Sequence, residues 1–166
     1  KEPMIQLSEK IKETIRDVRD YPSPGIVFKD ITPVLADPSL CREIVRQIVQ
    51  DFRSHQIDAV AAVEARGFIF GSILAHELNC SFIPVRRAGK LPFTTRSKRY
   101  ELEYGSASIE MHVDAVKPAA RVLIHDGLLA RGGTACAAGE LIRELGGTVA
   151  GFSFLINLGF LPGAQN

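Results

Sequence analysis

Charge of one sign is what this chain most plainly lacks. Twenty Lys and Arg stand against nineteen Asp and Glu, a net +1 over 166 residues. No global field argues for nucleic acid or a membrane surface, so any anion binding has to come from local clusters. Cysteine is also scarce. Cys41, Cys80 and Cys136 are odd in number and spaced like no metal site, which fits reduced thiols packed as small apolar groups in a cytosolic protein. The four histidines each stand alone. No apolar run approaches the roughly 18 residues of a membrane span. Lys1 to Lys12 is charged and has no apolar core of the signal-peptide kind, so a cytoplasmic location is expected. Repeats and low-complexity linkers are missing too. What is present is ordinary: 46% hydrophobic and 23% charged residues, with length enough to bury a core without disulfides or metal. One domain over 1–166 is the expectation.

Residues 4–19 are polar, with Ile11, Ile15 and Val18 on one helical stripe, and Tyr21-Pro22-Ser23-Pro24-Gly25 stops that helix. Ile26-Val27-Phe28 reads as a short extended segment. Asp37-Pro38 opens a helix whose apolar face is Leu40, Ile44, Val45, Ile48, Val49 and Phe52. Ala59 to Val63 is a continuous apolar run, the pattern of a strand buried on both faces. A helix is expected over Gly67 to Leu78 and a strand over Ser81 to Val85. Arg86 to Arg99 reads as a basic, irregular stretch, and residues 100–104 and 106–113 as a hairpin around Gly105. Arg121 to His125 is a further buried strand. A Gly-rich turn at 132–133 opens a helix through Leu145, and Val149 to Leu155 is the last strand. Strands alternating with helices indicate an α/β domain with a largely parallel sheet. Ligands of such sheets sit beyond the carboxyl ends of the strands. Here those ends are Glu64-Ala65-Arg66-Gly67, Arg86-Arg87, Asp126 to Gly133, and Asn157 onward.

The sharpest chemical signal runs strand, acid, loop, two glycines, hydroxyl, helix: Leu123-Ile124-His125-Asp126-Gly127-Leu128-Leu129-Ala130-Arg131-Gly132-Gly133-Thr134. Backbone N–H groups in a Gly-rich turn at a helix start make an anion site, and an acid just before it can accept hydrogen bonds from sugar hydroxyls. The competing reading is a tight turn with no ligand. From Arg86 to Arg99 there are six basic residues and no acid, with Gly89 and Pro92 among them. That composition suits a lid closing over anions, or else a solvated basic loop.

The segment from Leu123 to Thr134 resembles the phosphoribosyl pyrophosphate signature of type I phosphoribosyltransferases. Three more segments resemble the adenine-specific members, in the same order along the chain. Pro22 to Pro33 is similar to their purine-binding entry, and Glu64-Ala65-Arg66-Gly67-Phe68-Ile69-Phe70-Gly71 to their pyrophosphate loop. Arg86-Arg87-Ala88-Gly89-Lys90-Leu91-Pro92, with Tyr100 to Gly105, is similar to their mobile catalytic loop. The resemblance spans nearly the whole chain. It implies the type I phosphoribosyltransferase fold, with a central, mostly parallel five-stranded sheet flanked by helices and a mobile hairpin lid. Residues 1–35 would form an N-terminal helix and purine-binding hood, and 86–105 a flexible catalytic loop.

The implied reaction joins adenine to phosphoribosyl pyrophosphate, giving AMP and pyrophosphate, with Mg2+ carried on the substrate rather than in a protein cage, and in a homodimer. Arg66, Gly67, Arg86, Arg87 and Lys90 would meet the pyrophosphate. Asp126, Ala130, Arg131, Gly132, Gly133 and Thr134 would hold the ribose and 5-phosphate. Phe28 would stack on adenine, with the backbone of Val27 and Lys29 reading its edge and Leu158 on the other side. Phe28 read without the resemblance is equally a core aromatic. Glu103, beside Tyr104 on the lid, would transfer the proton, whereas its isolated reading is an exposed strand carboxylate. Asp126 is the second implied catalytic group.

Two positions depart from the resemblance. Gly127 stands where the family has a second acid, and Arg131 where it has Thr. Losing one charged acceptor costs roughly 1.5–3 kcal/mol, so weakened activity is expected, and restoring Gly127→Asp with Arg131→Thr is expected to raise affinity for phosphoribosyl pyrophosphate. The alternative function is a non-catalytic protein that binds or senses a purine nucleotide on the same fold. A third is the same chemistry on hypoxanthine or guanine.

Overall fold

The computed structural model describes residues 2–102, 105–127 and 133–155, with side chains from residue 6 onward. The chain divides into two compact units, Lys1–Gln47 and Ile48–Asn166.

In the first unit, helix α1 (Glu2–Thr14) is followed by two short strands, β1 (Arg16–Arg19) and β2 (Val27–Asp30), and by the one-turn helix α2 (Thr32–Leu35). The two strands pair antiparallel, Val18 opposite Phe28. The helix expected to continue to residue 19 therefore stops at Thr14. Cross-strand ion pairs favour the extended form: Lys29 Nζ reaches Asp17 Oδ1 at 2.7 Å, and Arg16 Nη2 reaches Asp30 Oδ2 at 2.8 Å. Helix α3 (Pro38–Phe52) runs on into the second unit. Leu40, Ile44, Ile48 and Val49 of its expected apolar face are buried.

The second unit is built on a six-stranded sheet. Its strands are β3 (Ala59–Val63), β4 (Ser81–Arg87), β5 (Thr95–Leu102), β6 (Gly105–His112), β7 (Arg121–Asp126) and β8 (Thr148–Phe154), in the order β5-β6-β4-β3-β7-β8. β4, β3, β7 and β8 are mutually parallel, and the β5-β6 hairpin joins antiparallel at β4. The sheet thus has six strands where five are expected: four parallel strands and the two of the hairpin, which is part of the sheet. Nor is Arg86–Arg99 irregular throughout: Arg86 and Arg87 finish β4, and Thr95–Arg99 lies in β5.

Helices α4 (Arg66–Leu78) and α5 (Gly133–Glu144) complete the unit. β3 is buried at every position, as its unbroken apolar run requires. Ala137, Ala138, Leu141 and Ile142 of α5 pack with Val122 and Ile124 of β7, Ala61 of β3 and Met111 of β6 in one cluster. Their burial fixes α5, and with it the Gly133-Thr134 end of the helix, against the sheet.

Candidate active site

The carboxyl ends of β3 and β7 are neighbours, because the parallel register sets Ala62 opposite His125. The segments that leave the two strands are therefore brought to one place. After β3 the chain runs through Glu64 and Ala65 and starts α4 at Arg66. A Cβ placed on Gly67 would lie 3.1 Å from the His125 carbonyl oxygen and 3.5 Å from Asp126 Cα. A Cβ on Gly127 would lie 2.5 Å from Arg66 Cβ. Two glycines, one on each side, let the first turn of α4 sit directly on the end of β7. Arg66, Gly67 and Asp126, singled out from sequence, thus meet. The helix start carries no acid in its first turn, so its partial positive charge and the Arg66 guanidinium act together.

Gly127 now has a packing reason that sequence did not reveal. It is buried under Arg66, and a side chain added there requires the start of α4 or the end of β7 to shift. The double change Gly127→Asp with Arg131→Thr therefore carries a packing cost at position 127.

Arg86 is held by a residue to which sequence assigned no role. Its Nε donates to Glu64 Oε1 at 2.7 Å, its Nη1 to the Lys90 carbonyl at 3.3 Å, and the Arg87 N–H also donates to Glu64 at 3.2 Å. Burial pushes the Glu64 carboxyl up, but the Arg86 hydrogen bond, the Arg87 N–H and the charges of both arginines outweigh it and lower the pKa. Glu64 therefore stays ionised and orients Arg86. Arg87 and Lys90 are exposed at the same strand end. The signal for Glu64 was its place at the head of the Glu-Ala-Arg-Gly segment.

The other cations of the basic stretch are committed elsewhere. Arg96 Nε donates to Glu144 at 3.0 Å, and Lys98 pairs with Glu144 and, at 3.4 Å, with Glu140. The hydrogen bond to Glu144 is the main cause that raises the Lys98 pKa. Arg99 Nε donates to Ser106 Oγ across the hairpin at 3.0 Å. These three residues do not form one cationic face over an anion; Arg96 and Lys98 dock β5 on α5. Thr134, second residue of α5, donates from Oγ1 to the Tyr100 hydroxyl at 2.9 Å, and Gly133 lies under the Tyr100 ring.

His125, inside the signature, is fully buried, with Nδ1 3.2 Å from Ser153 Oγ. Burial pulls its pKa down to about 4, against a smaller opposing effect of hydrogen bonding at Ser153, so it is neutral at pH 7. Its Nε2 has no hydrogen-bond partner among the described residues.

In the first unit, Val27 is exposed and Phe28 half-buried, its ring edge-on to Tyr21 with centroids 5.3 Å apart. Phe28 is thus not sealed in a core. Lys29 is tied to Asp17. Asp30, at the end of β2, is held down to about 2, first by the Thr32 N–H and then by Arg16. Glu103, Tyr104, Ala130, Arg131, Gly132 and Leu158 lie outside the described residues. Among the described residues no three His, Cys, Asp or Glu side chains converge as a metal cage, and no helix is long and apolar enough to cross a membrane.

The comparisons with known proteins agree with one another. A family model described as a phosphoribosyl transferase domain matches residues 30–159. An adenine phosphoribosyltransferase from Cytophaga hutchinsonii is 53% identical over 157 residues, covering 95% of this chain and 87% of that protein. The crystal structure of adenine phosphoribosyltransferase from Rhodothermus marinus superposes with a TM-score of 0.86 at 49% identity, over 90% of this chain and 85% of that one. The enzyme from Saccharomyces cerevisiae, solved with an imino-altritol bisphosphate and adenine, gives 0.82 at 34% identity, over 90% of this chain and 88% of that one.

Proposed function

Because the chain belongs to the phosphoribosyltransferase family, among its adenine phosphoribosyltransferases, we propose that it makes AMP and pyrophosphate from adenine and phosphoribosyl pyrophosphate, and we assign each site residue a part in that reaction. The observation that carries the reading is the seating of the α4 start on the end of β7, which gathers a cationic helix end, Arg66 and Asp126 at one strand edge.

The attacking nitrogen of adenine forms a bond to C1′ as the C1′–oxygen bond to pyrophosphate breaks. Positive charge develops on the ribose ring, and negative charge on the leaving group. Arg66, the Gly67 N–H, Arg87, Lys90 and the Glu64-oriented Arg86 receive the pyrophosphate. Mg2+, held by substrate oxygens and water rather than by a cage of protein side chains, would supply further neutralisation of the leaving group beside these residues. Asp126 accepts hydrogen bonds from the ribose hydroxyls and stabilises the ring charge. Ala130 to Thr134 cradle the 5-phosphate. Phe28 forms a platform for adenine, with Val27, Lys29 and Leu158 around it. Glu103, beside Tyr104, takes the proton that leaves the attacking nitrogen.

With Gly127 in place of a second acid, Asp126 holds the ribose alone, and the rate or affinity is reduced by about 10- to 150-fold. The hood over 1–35, the catalytic loop over 86–105, a homodimer and a cytoplasmic location belong to the same proposal. Nothing in the comparisons favours a non-catalytic nucleotide sensor. A radiolabelled assay with adenine, hypoxanthine and guanine in parallel, each with phosphoribosyl pyrophosphate and Mg2+, tests the reading. Turnover on adenine is expected; tight AMP binding without turnover would support the sensor instead.

A further inference from the structure

The geometry points to Tyr100 as a positioning residue that ties the hairpin to the phosphate cradle and sets the direction of the Thr134 hydroxyl. This inference rests on the function proposed above and adds a residue that the implied site does not include.

Three contacts fix Tyr100. Its hydroxyl accepts from Thr134 Oγ1 at 2.9 Å. Its ring carbons lie 3.5 and 4.0 Å from where a Cβ on Gly133 would be, so the ring covers the first residue of α5. The ring also packs against the buried cluster between α5 and the sheet. Alternation along β5 puts Arg96, Lys98 and Tyr100 on one face. The ion pairs of Arg96 and Lys98 with Glu144 and Glu140 lock that face along α5. The Tyr100 hydroxyl is therefore at a set position beside the Thr134 side chain.

Each hydroxyl has one proton and two acceptor lone pairs. At 2.9 Å either hydroxyl can donate to the other, so the Thr134 proton can be given to Tyr100 or to a ligand. A phosphate oxygen only accepts, so a phosphate at Thr134 requires that proton. Tyr100 then donates its own proton to Thr134 Oγ1, and the contact between the two hydroxyls is kept. The Thr134 O–H is left polarised toward the anion. No proton leaves either residue. Phe at position 100 would keep the ring over Gly133 and remove only this return donation.

The test uses Tyr100→Phe in the full chain. Steady-state kinetics with adenine should show KM for phosphoribosyl pyrophosphate raised about tenfold, with kcat and KM for adenine within about twofold. Calorimetric affinity for ribose 5-phosphate should fall by the same factor. In a cycle with Thr134→Val the two losses should not add, because each breaks the same relay. The inference is overturned if Tyr100→Phe binds ribose 5-phosphate within about twofold of the unsubstituted chain, or if the two losses are additive. The cycle decides even if Tyr100→Phe lowers the melting temperature. An unsubstituted chain that leaves adenine unconverted, yet shows the expected cycle with ribose 5-phosphate, would overturn the proposed function and not the role of Tyr100.

Discussion

Gly127 and Arg66 touch so closely that a Cβ on the first would stand 2.5 Å from the Cβ of the second. That contact seats the start of α4 on the end of β7, and neither backbone can yield without moving part of the site. Gly127→Ala and Gly127→Asp should each cost about 1–3 kcal/mol through overpacking, lowering the melting temperature by several degrees. The alanine variant isolates the steric cost, and the aspartate variant adds a carboxylate at the same cost. If a second acid helps to hold ribose, the aspartate variant binds phosphoribosyl pyrophosphate about tenfold or more better than the alanine variant. Equal affinities would show that the carboxylate contributes nothing here. Unchanged melting in both would show that Arg66 does not pack against Gly127.

Glu64 is half-buried, and its charge is already balanced by Arg86. Its main effect is then orientation rather than repulsion of an incoming anion. Glu64→Gln keeps an acceptor and loses the charge. Discounted for partial exposure, the weaker hold on Arg86 should loosen pyrophosphate about three- to tenfold, as read by product inhibition. Tighter pyrophosphate binding in this variant would show that the carboxylate acts by repulsion.

His125 gives the protein a pH dependence of stability well above the carboxylate range. Its folded pKa is lowered to about 4 by burial, against an ordinary value of 6.5 for the free group. Between those values the unfolded chain takes up a proton that the folded chain refuses. Stability is therefore full above about pH 6.5 and falls as pH drops toward 4, by on the order of 3 kcal/mol in all. Asp30, lowered from 3.8 to about 2, contributes stability that is lost only below that window, as its folded carboxylate is protonated. Denaturant unfolding at pH 7, 6, 5 and 4 should show the decline, and His125→Leu should flatten it. A slope unchanged in His125→Leu would assign the dependence to other groups.

The sheet was legible in the sequence where burial alone dictates it. Ala59–Val63 and Val122–Ile124 are apolar at every position, and only strands covered on both faces need that. Gly133-Thr134 likewise announced the start of a helix. The parts that escaped notice are held by polar pairs. Arg16–Arg19 carries no apolar stripe, and its extended form rests on Asp17–Lys29 and Arg16–Asp30. Thr95–Leu102 lacks regular apolar alternation; acids on α5, remote in sequence, hold it. The same distance hid Glu64 and Tyr100, whose partners Arg86 and Thr134 are set by sheet register and helix packing. Gly127 read as a loss of chemistry because its close neighbour, Arg66, comes after a different strand.

The claim beneath all of this is that the turn between β7 and α5 receives a sugar-borne phosphate. A crystal structure of the chain with AMP tests it most directly. The 5′-phosphate should lie on the backbone N–H groups leading into Gly133 and Thr134, with the ribose hydroxyls at Asp126. A nucleotide bound anywhere else, with that turn empty, would contradict the account.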